Sequence, residues 1–348
     1  MSHTALRAGA SPAACPTTWD DLAGLLAALP GPEAETVAAW AARDPRLTKP
    51  AGALGRLEEI SRHLSAWQGQ HPPRVDHPHA RIFAGNHGVA ALGVSAFPAS
   101  VTVQMVANFE HGGAAINQLC ALHGMALQVI ALDLDQPTDD FTAGPALDEA
   151  AFFAAFAAGF ASVDPACDLL VIGEMGIGNT TAAAALAHGL FGGAAADWTG
   201  RGTGVDDPAL ARKTDVVAAA IARHGAVGPL QLMAAVGGRE LAAMAGATVA
   251  ARLLRVPVLL DGYVCCAAVA PLAVAQPGAL DHCLVGHVSV EPGHRRLLER
   301  LGLEALLNLN MRLGEGSGAA VAVGIVRAAV ACHSGMATFD QAGVSEKS

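Results

Sequence analysis

Short β-type runs, each ending in a glycine-rich or polar loop and leading into a helix-compatible stretch, constrain this chain more than any other feature. They are Ala80 to Ala84, Leu127 to Leu132, Leu169 to Ile172, Val256 to Leu260, and Cys283 to Val288. A parallel crossover needs a connecting helix, and that helix must bury its apolar side on the sheet. Alternation of this kind therefore specifies an α/β fold: a mostly parallel sheet with helices on both faces. Ligands of such sheets sit beyond the carboxyl ends of the strands, so the loops after these runs are where chemistry belongs. Apolar periodicity predicts helices over Ser100 to Leu122, Thr181 to Leu190, Pro208 to Arg223, Pro229 to Leu254, and Ser317 to Ala331.

Composition says how the layers pack. Hydrophobic residues make up 52% of the chain and charged ones 15%, with 39 glycines. Small side chains thus replace bulky ones, and helices and sheet approach closely. The formal charge of −10, without a Lys/Arg cluster, excludes a general nucleic-acid binder. A small anion held by backbone N–H groups and one or two cations stays compatible. The cysteines (Cys15, Cys120, Cys167, Cys265, Cys266, Cys283 and Cys332) are odd in number and contain no CxxC pair. They read as reduced thiols of a cytoplasmic protein rather than a disulfide framework or zinc site.

Met1 to Pro16 lacks the long apolar core of a secretory signal. Val256 to Ala275 is apolar but holds Pro257, Asp261 and Pro271, and reads as a buried strand, turn and helix. Ala319 to Cys332 is interrupted by Arg327 and is too short to span a bilayer, so no membrane span is expected. Gln70 to His79 carries three prolines and three histidines and reads as a linker or exposed loop after a helical N-terminal section. Its prolines prevent regular presentation of His71, His77 and His79, so no metal site is expected there.

Four loops carry candidate chemistry. Gly173 to Thr181 (GEMGIGNTT) lies between the run DLLVI and an alanine-rich helix. Its glycines let backbone approach a ligand, and the free N–H groups of the helix start favour a phosphate; a plain turn with an N-cap threonine fits the same pattern. Gly200 to Gly204 precedes a helix containing Lys213. Arg201 or Lys213 suits a phosphate, although Arg201 equally reads as a surface charge, and Lys213 serves only if its helix face looks inward. Met311 to Gly318 sets Glu315 between two glycines ahead of an apolar helix. A flat ring can approach such a carboxylate, and a low-dielectric surround raises its proton affinity toward that of a general base. Dipole compensation at the helix start explains it equally well. Asn86 to Val89 places His87 directly after a strand, where it is either a base or a satisfied histidine tying down the loop. Ser95 and Gln104, further on, line a ring pocket or merely cap and solvate. Val236-Gly237-Gly238 reads as a close helix contact or a break.

Eight segments taken together resemble one family. They are KPAGALGRLEEIS (Lys49 to Ser61), NHGVAALGVSAFP (Asn86 to Pro98), NFEHGGAAIN (Asn108 to Asn117), GEMGIGNTT, GRGTGVDD (Gly200 to Asp207), LLDGYV (Leu259 to Val264), EPGHRRLL (Glu291 to Leu298) and LGEGSGAA (Leu313 to Ala320). The family is nicotinate-nucleotide:5,6-dimethylbenzimidazole phosphoribosyltransferase. The resemblance spans about Lys49 to Val330 and implies a homodimer with a Rossmann-like, mostly parallel sheet and a smaller helical domain built from both chain ends. On that basis residues 1–79 form an N-terminal helical segment of the small domain, 80–300 the α/β core, and 301–348 the segment with the catalytic loop and last helix. The resemblance implies Glu315 as catalytic base. It places Glu174, Gly176, Gly178, Asn179, Thr180, Gly202, Lys213 and Ser289 on the mononucleotide side, and Ser95, Gln104, Met175 and Leu313 on the base side. Asn86 stands where many members carry Asp, and Arg239 where a large apolar residue is common, so neither is given a role.

The reaction this resemblance implies makes chemical sense of a single carboxylate. In nicotinate mononucleotide the leaving group is already a cationic pyridinium, so it departs without a general acid, unlike the leaving group of a two-carboxylate glycosidase. A benzimidazole attacks through one ring nitrogen and sheds the proton on the other, which calls for one base and no metal or organic cofactor. Two rival classes use the same phosphate loops: a nucleotide hydrolase, which releases nicotinate without an acceptor, and a non-catalytic nucleotide-binding protein, whose sequence sign would be loss of the carboxylate at position 315.

Overall fold

The computed structural model describes residues 14–345; residues 1–13, part of the N-terminal stretch read above, lie outside the described residues. Six strands form one all-parallel sheet in the order β2-β1-β3-β4-β5-β6. They are β1 (Pro78–Ala84), β2 (Ala126–Ala131), β3 (Leu169–Met175), β4 (Val258–Leu260), β5 (Cys283–His287) and β6 (Ala305–Leu307). The five expected strands are present. β6 is an addition, a three-residue strand too short to show a period in sequence.

The chain runs from β1 outward to β2, then crosses back to lay β3 on the other side of β1, so the topology reverses between β1 and β3. Their carboxyl ends are in register, Phe83 opposite Glu174 and Ala84 opposite Met175. That reversal opens the crevice in which α/β sheets bind ligands. The two loops leaving it are Gly85-Asn86-His87 and the glycine-rich run after Met175.

Each sheet face carries its own apolar layer. Leu170 and Ile172 of β3 join Phe83 and the helices Glu149–Ala161, Asn179–Phe191, Pro229–Val236, Arg239–Leu253 and Tyr263–Ala275. Leu169 and Val171 face the other way, onto the helices Arg56–Gln68, Ala115–His123 and Ser317–Gly335. Strand side chains alternate faces, which is why a continuous apolar run serves both layers. Arg239–Leu253 is alanine-rich and buried from Glu240 to Arg252. It lies so close to Glu149–Ala161 that a Cβ on Gly159 would strike the Ala243 carbonyl, and one on Gly246 the Phe156 carbonyl.

Several sequence expectations are corrected here. The helix expected over Ser100 to Leu122 is two, Ser100–Glu110 and Ala115–His123, separated at Gly112-Gly113, where Gly112 adopts φ +77°. The stretch Pro229 to Leu254 is likewise two helices, broken at Gly237-Gly238 as one reading of that pair had it, and a Cβ on Gly238 would occupy the place of the His87 ring. The helix expected over Ser317 to Ala331 is longer, Ser317–Gly335, and by length and composition reaches what a membrane span needs; here it packs on β3, β5 and the helices Arg56–Gln68 and Ala115–His123. Gln70 to His79 is not a free linker. His79 lies in β1 with its Nδ1 3.0 Å from Arg81, Val75 is buried, and His71 meets His333 at 3.0 Å. Both chain ends also meet: Arg43 donates to the carbonyls of His333, Ser334 and Met336.

Replacing Gly246 by Val overpacks a backbone-to-backbone helix contact remote from the crevice. The expected loss is about 1–3 kcal/mol or more, measured by denaturant unfolding; wild-type stability in Gly246→Val would contradict the close approach.

Candidate active site

The loop after β3 turns tightly because glycines occupy its crowded points. Gly178 adopts φ +97° as N-cap of the helix Asn179–Phe191, and a Cβ on Gly176 would press on Glu240, the Gly85 carbonyl and Asn179. Thr102, from the helix Ser100–Glu110, accepts the Ile177 N–H at 3.2 Å and pins the loop. Glu174 at the strand end accepts a short hydrogen bond from the Asn179 side chain.

Glu315 reaches the same place from the other end of the chain. Its backbone lies in the left-handed region, φ +62°, flanked by Gly314 at +83° and Gly316 at +76°. A non-glycine residue there carries strain of order 1–3 kcal/mol, which persists only where the surroundings impose it. They do: Glu315 N donates to the Glu174 carbonyl at 3.3 Å, and a Cβ on Gly173 would collide with Gly316. A Cβ on Gly314 would strike the Glu174 carboxylate, so the two glutamates occupy one crevice. Glu315 is buried and its Oε2 has no hydrogen-bond partner among the described residues.

Burial sets the charge of this crevice. It pushes the Glu174 carboxyl up to about 8, against the Asn179 hydrogen bond, with the charges of Asp261, Glu240 and Glu315 adding to the rise. Burial, then the charge of Asp261, lifts Glu315 to about 7. Carboxylates held this close resist simultaneous ionisation, so they titrate as a group. A proton acceptor poised near neutrality is what general-base work at physiological pH requires.

A second cluster surrounds Lys213. Lys213 faces inward and is 1% exposed, with its ammonium donating to Thr180 Oγ1 at 2.8 Å and to the Gly200 carbonyl at 3.0 Å. Burial lowers its pKa to about 8, while the Glu291 charge opposes the fall. Glu291 accepts the Gly202 N–H at 2.9 Å, and Arg312 donates to the Gly202 carbonyl at 3.3 Å. Gly200, Arg201, Gly202, Glu291 and Arg312 line a cavity of about 380 Å³, within the range of small-molecule sites. Glu174 and Glu315 stand outside its walls, but Arg312 and Glu315 share one loop. Arg201 also pairs with Asp207 and donates to the Val205 carbonyl, which holds the loop's shape.

Glu174, Gly176, Gly178, Asn179 and Glu315 thus converge, and Thr180, Gly202 and Lys213 join through hydrogen bonds or direct contact. Ser289 sits one step back, bonded to His294 through its N–H (3.0 Å) and hydroxyl (3.1 Å). The base-side residues are not drawn together by direct bonds: Ser95 accepts from Phe97 N, Gln104 is exposed, Leu313 is 52% exposed, and Met175 ends β3 against the second apolar layer. His87 is the histidine that ties down its loop, fully enclosed with Nε2 2.5 Å from Glu240 Oε1. Sequence reasoning assigned nothing to Thr102, Glu240, Asp261, Glu291 or Arg312. Asp261 and Glu291 stand in two of the segments that carry the resemblance, and an acidic residue just beyond a β-run was their available signal.

A parallel sheet with its crevice at the strand reversal, a glycine-bounded cavity and a buried carboxylate make up the ligand-binding architecture of an α/β enzyme. The sequence matches the phosphoribosyltransferase family over residues 29–344. It is 59% identical over 322 residues to the nicotinate-nucleotide–dimethylbenzimidazole phosphoribosyltransferase of Ruegeria pomeroyi, covering 92% of this chain and 96% of that one. The protein of the same name from Mesorhizobium japonicum is 58% identical over 330 residues, 94% and 98% of the two chains. The crystal structure of CobT from Thermus thermophilus superposes with a TM-score of 0.84 at 42% identity, covering 90% of this chain and all of that one. The chain belongs to the nicotinate-nucleotide:dimethylbenzimidazole phosphoribosyltransferase family.

The raised Glu174 predicts a pH-dependent stability. Between the ordinary 4.5 and about 8 the folded chain keeps a proton that the unfolded chain has released. Its contribution is therefore whole at acid pH and is lost as pH rises toward about 8. Glu174→Gln, always neutral, should gain Tm relative to the parent as pH rises from about 5 to above 8. An unchanged Tm difference across that window would contradict the assignment.

Proposed function

We propose that this protein transfers the phosphoribosyl group of nicotinate mononucleotide to 5,6-dimethylbenzimidazole or a related base, releasing nicotinate and α-ribazole 5′-phosphate for the lower ligand of cobalamin. The observation that carries the reading is Glu315, a strained, buried carboxylate with proton affinity near neutrality, set beside an anion pocket of mononucleotide size.

In this reading Lys213, Thr180 and the Gly202 turn hold the 5′-phosphate, while the glycine-rich loop of Gly176, Gly178 and Asn179 orients the ribose over Glu174. Anchoring the phosphate converts remote binding energy into position at the reacting carbon. A benzimidazole nitrogen attacks C1′ from the face opposite nicotinate. The C1′–N bond breaks with its electron pair going to the pyridinium, which leaves neutralised at that nitrogen. The proton on the second benzimidazole nitrogen passes to Glu315. Met175 and Leu313, with Ser95 and Gln104 on the neighbouring segment, supply the flat base side; shape and stacking there discriminate weakly among planar acceptors. We read the protein as a cytoplasmic homodimer, in line with the family resemblance and with seven thiols that are all unpaired.

The test is a product assay by mass spectrometry with nicotinate mononucleotide, with and without dimethylbenzimidazole. Ribotide and nicotinate in equal amounts, formed only with acceptor, are expected. Nicotinate released without acceptor would make the protein a hydrolase, and binding without turnover a nucleotide-binding module. Glu315→Gln should lower kcat about 10²- to 10⁴-fold; an unaltered rate would remove Glu315 from the reaction. Lys213→Met should raise KM for the mononucleotide about 10- to 100-fold, the equivalent of one charge-assisted hydrogen bond, and leave KM for the acceptor nearly unchanged.

A further inference from the structure

The helix Ser317–Gly335 begins without a local cap: its N-cap is Gly316, and no nearby side chain satisfies its first N–H groups. The missing acceptor comes from Asp261, at the end of β4. Its Oδ1 takes the Ala319 N–H at 2.8 Å, and the nearby Gly318 and Gly316 amides favour its charged form. Asp261 is 1% exposed, and its Oδ2 makes no hydrogen bond among the described residues. A buried carboxylate with an unmet oxygen is costly, and its retention asks for a reason beyond helix capping, which Ser, Thr or Asn supply without a full charge.

Three glycines are given up to this contact. The His287 ring lies where a Cβ of Gly318 would be and 3.3 Å from that of Gly262, with Nε2 3.5 Å from Asp261 Oδ1. A Cβ on Gly286 would meet Ala319, so β5 presses on the same helix start. The amides that Asp261 holds belong to the turn containing Glu315, whose left-handed backbone needs an external restraint.

We infer that Asp261, backed by His287, is the positioning residue for Glu315: its carboxylate clamps the start of the helix Ser317–Gly335 and with it the turn that holds the base. The inference deepens the proposed reaction and rests on Glu315 acting as its base. The charged groups acting on Glu315 are Glu174 at the end of β3 and Asp261 after β4, while His287 on β5 stands against Asp261 and Arg312 on the same loop as Glu315 turns to the Gly202 carbonyl. Asp261 is second to burial in raising Glu315, and is itself raised by burial against the lowering effect of His287 and the three amides. Without the charge at 261, Glu315 ionises at lower pH and takes the acceptor's proton less readily.

The experiment is the pH dependence of kcat and kcat/KM for transfer to dimethylbenzimidazole in the full-length protein, comparing the parent, Asp261→Asn and His287→Gln. Mononucleotide binding by calorimetry checks that each variant is folded. Asparagine keeps an acceptor for the amides and drops the charge. The acid limb of its profile should move to lower pH and the plateau kcat should fall several-fold, with mononucleotide binding intact. His287→Gln lets Asp261 take up a proton more readily, so its limb should move the same way by less, and this arm decides the matter if Asp261→Asn does not fold. An acid limb that stays in place in the folded variants overturns the inference, whatever happens to kcat, since a merely structural cap would leave the limb unmoved. A parent enzyme that makes no ribotide, or a Glu315→Gln enzyme as active as the parent, refutes the underlying reaction instead.

Discussion

The backbone of Gly316 rests directly on the backbone of Gly173, and most of the site depends on that contact. No side chain fits between the end of β3 and the turn ahead of the helix Ser317–Gly335. One consequence is geometric: segments more than 140 positions apart place Glu174 and Glu315 in one crevice, without a flexible loop to carry either. A second is energetic. The left-handed Glu315 is held by neighbours on both sides, so its strain is supported by the sheet. Helix 317–335 serves as the strut, packed along β3 and β5, and its first turn is fixed by a carboxylate from β4.

Electrostatics follow from the same compression. The chain carries a net charge of −10, yet the crevice gathers Glu174, Glu240, Asp261 and Glu315 around few cations, and burial raises Glu174, Asp261 and Glu315 together. The positive groups, Lys213 and Arg312, sit instead on the cavity side. This separation suits a reaction whose substrate brings an anion at one end and a cationic leaving group at the other. In the proposed reaction the phosphate would meet Lys213, and the pyridinium and the developing ribose cation would meet the carboxylates.

Most of the architecture was legible because burial on both faces writes a plain apolar run for each central strand, and glycine-rich loops mark the carboxyl ends. What failed has specific causes. Gly112-Gly113 and Gly237-Gly238 end helices whose apolar pattern continues across the break, so periodicity read each pair of helices as one. β6 has three residues and no usable period. Lys213 could be named but not aimed, since its direction depends on how the helix Asp207–His224 is rotated against its neighbours. Asp261 and Glu291 bond to amides 58 and 89 positions away, and a cap supplied over that distance leaves no local trace. Glu315 stood out for a physical reason: glutamate between two glycines is a poor way to start a helix unless the conformation itself is needed.

The most direct test of a single catalytic carboxylate beside an anchored mononucleotide is a crystal structure with nicotinate mononucleotide and dimethylbenzimidazole bound to Glu315→Gln. The phosphate should lie between Lys213 and the Gly202 turn, with a benzimidazole ring nitrogen within about 3 Å of the side chain at 315. A phosphate bound elsewhere, or an acceptor ring whose nitrogens face away from residue 315, would contradict it.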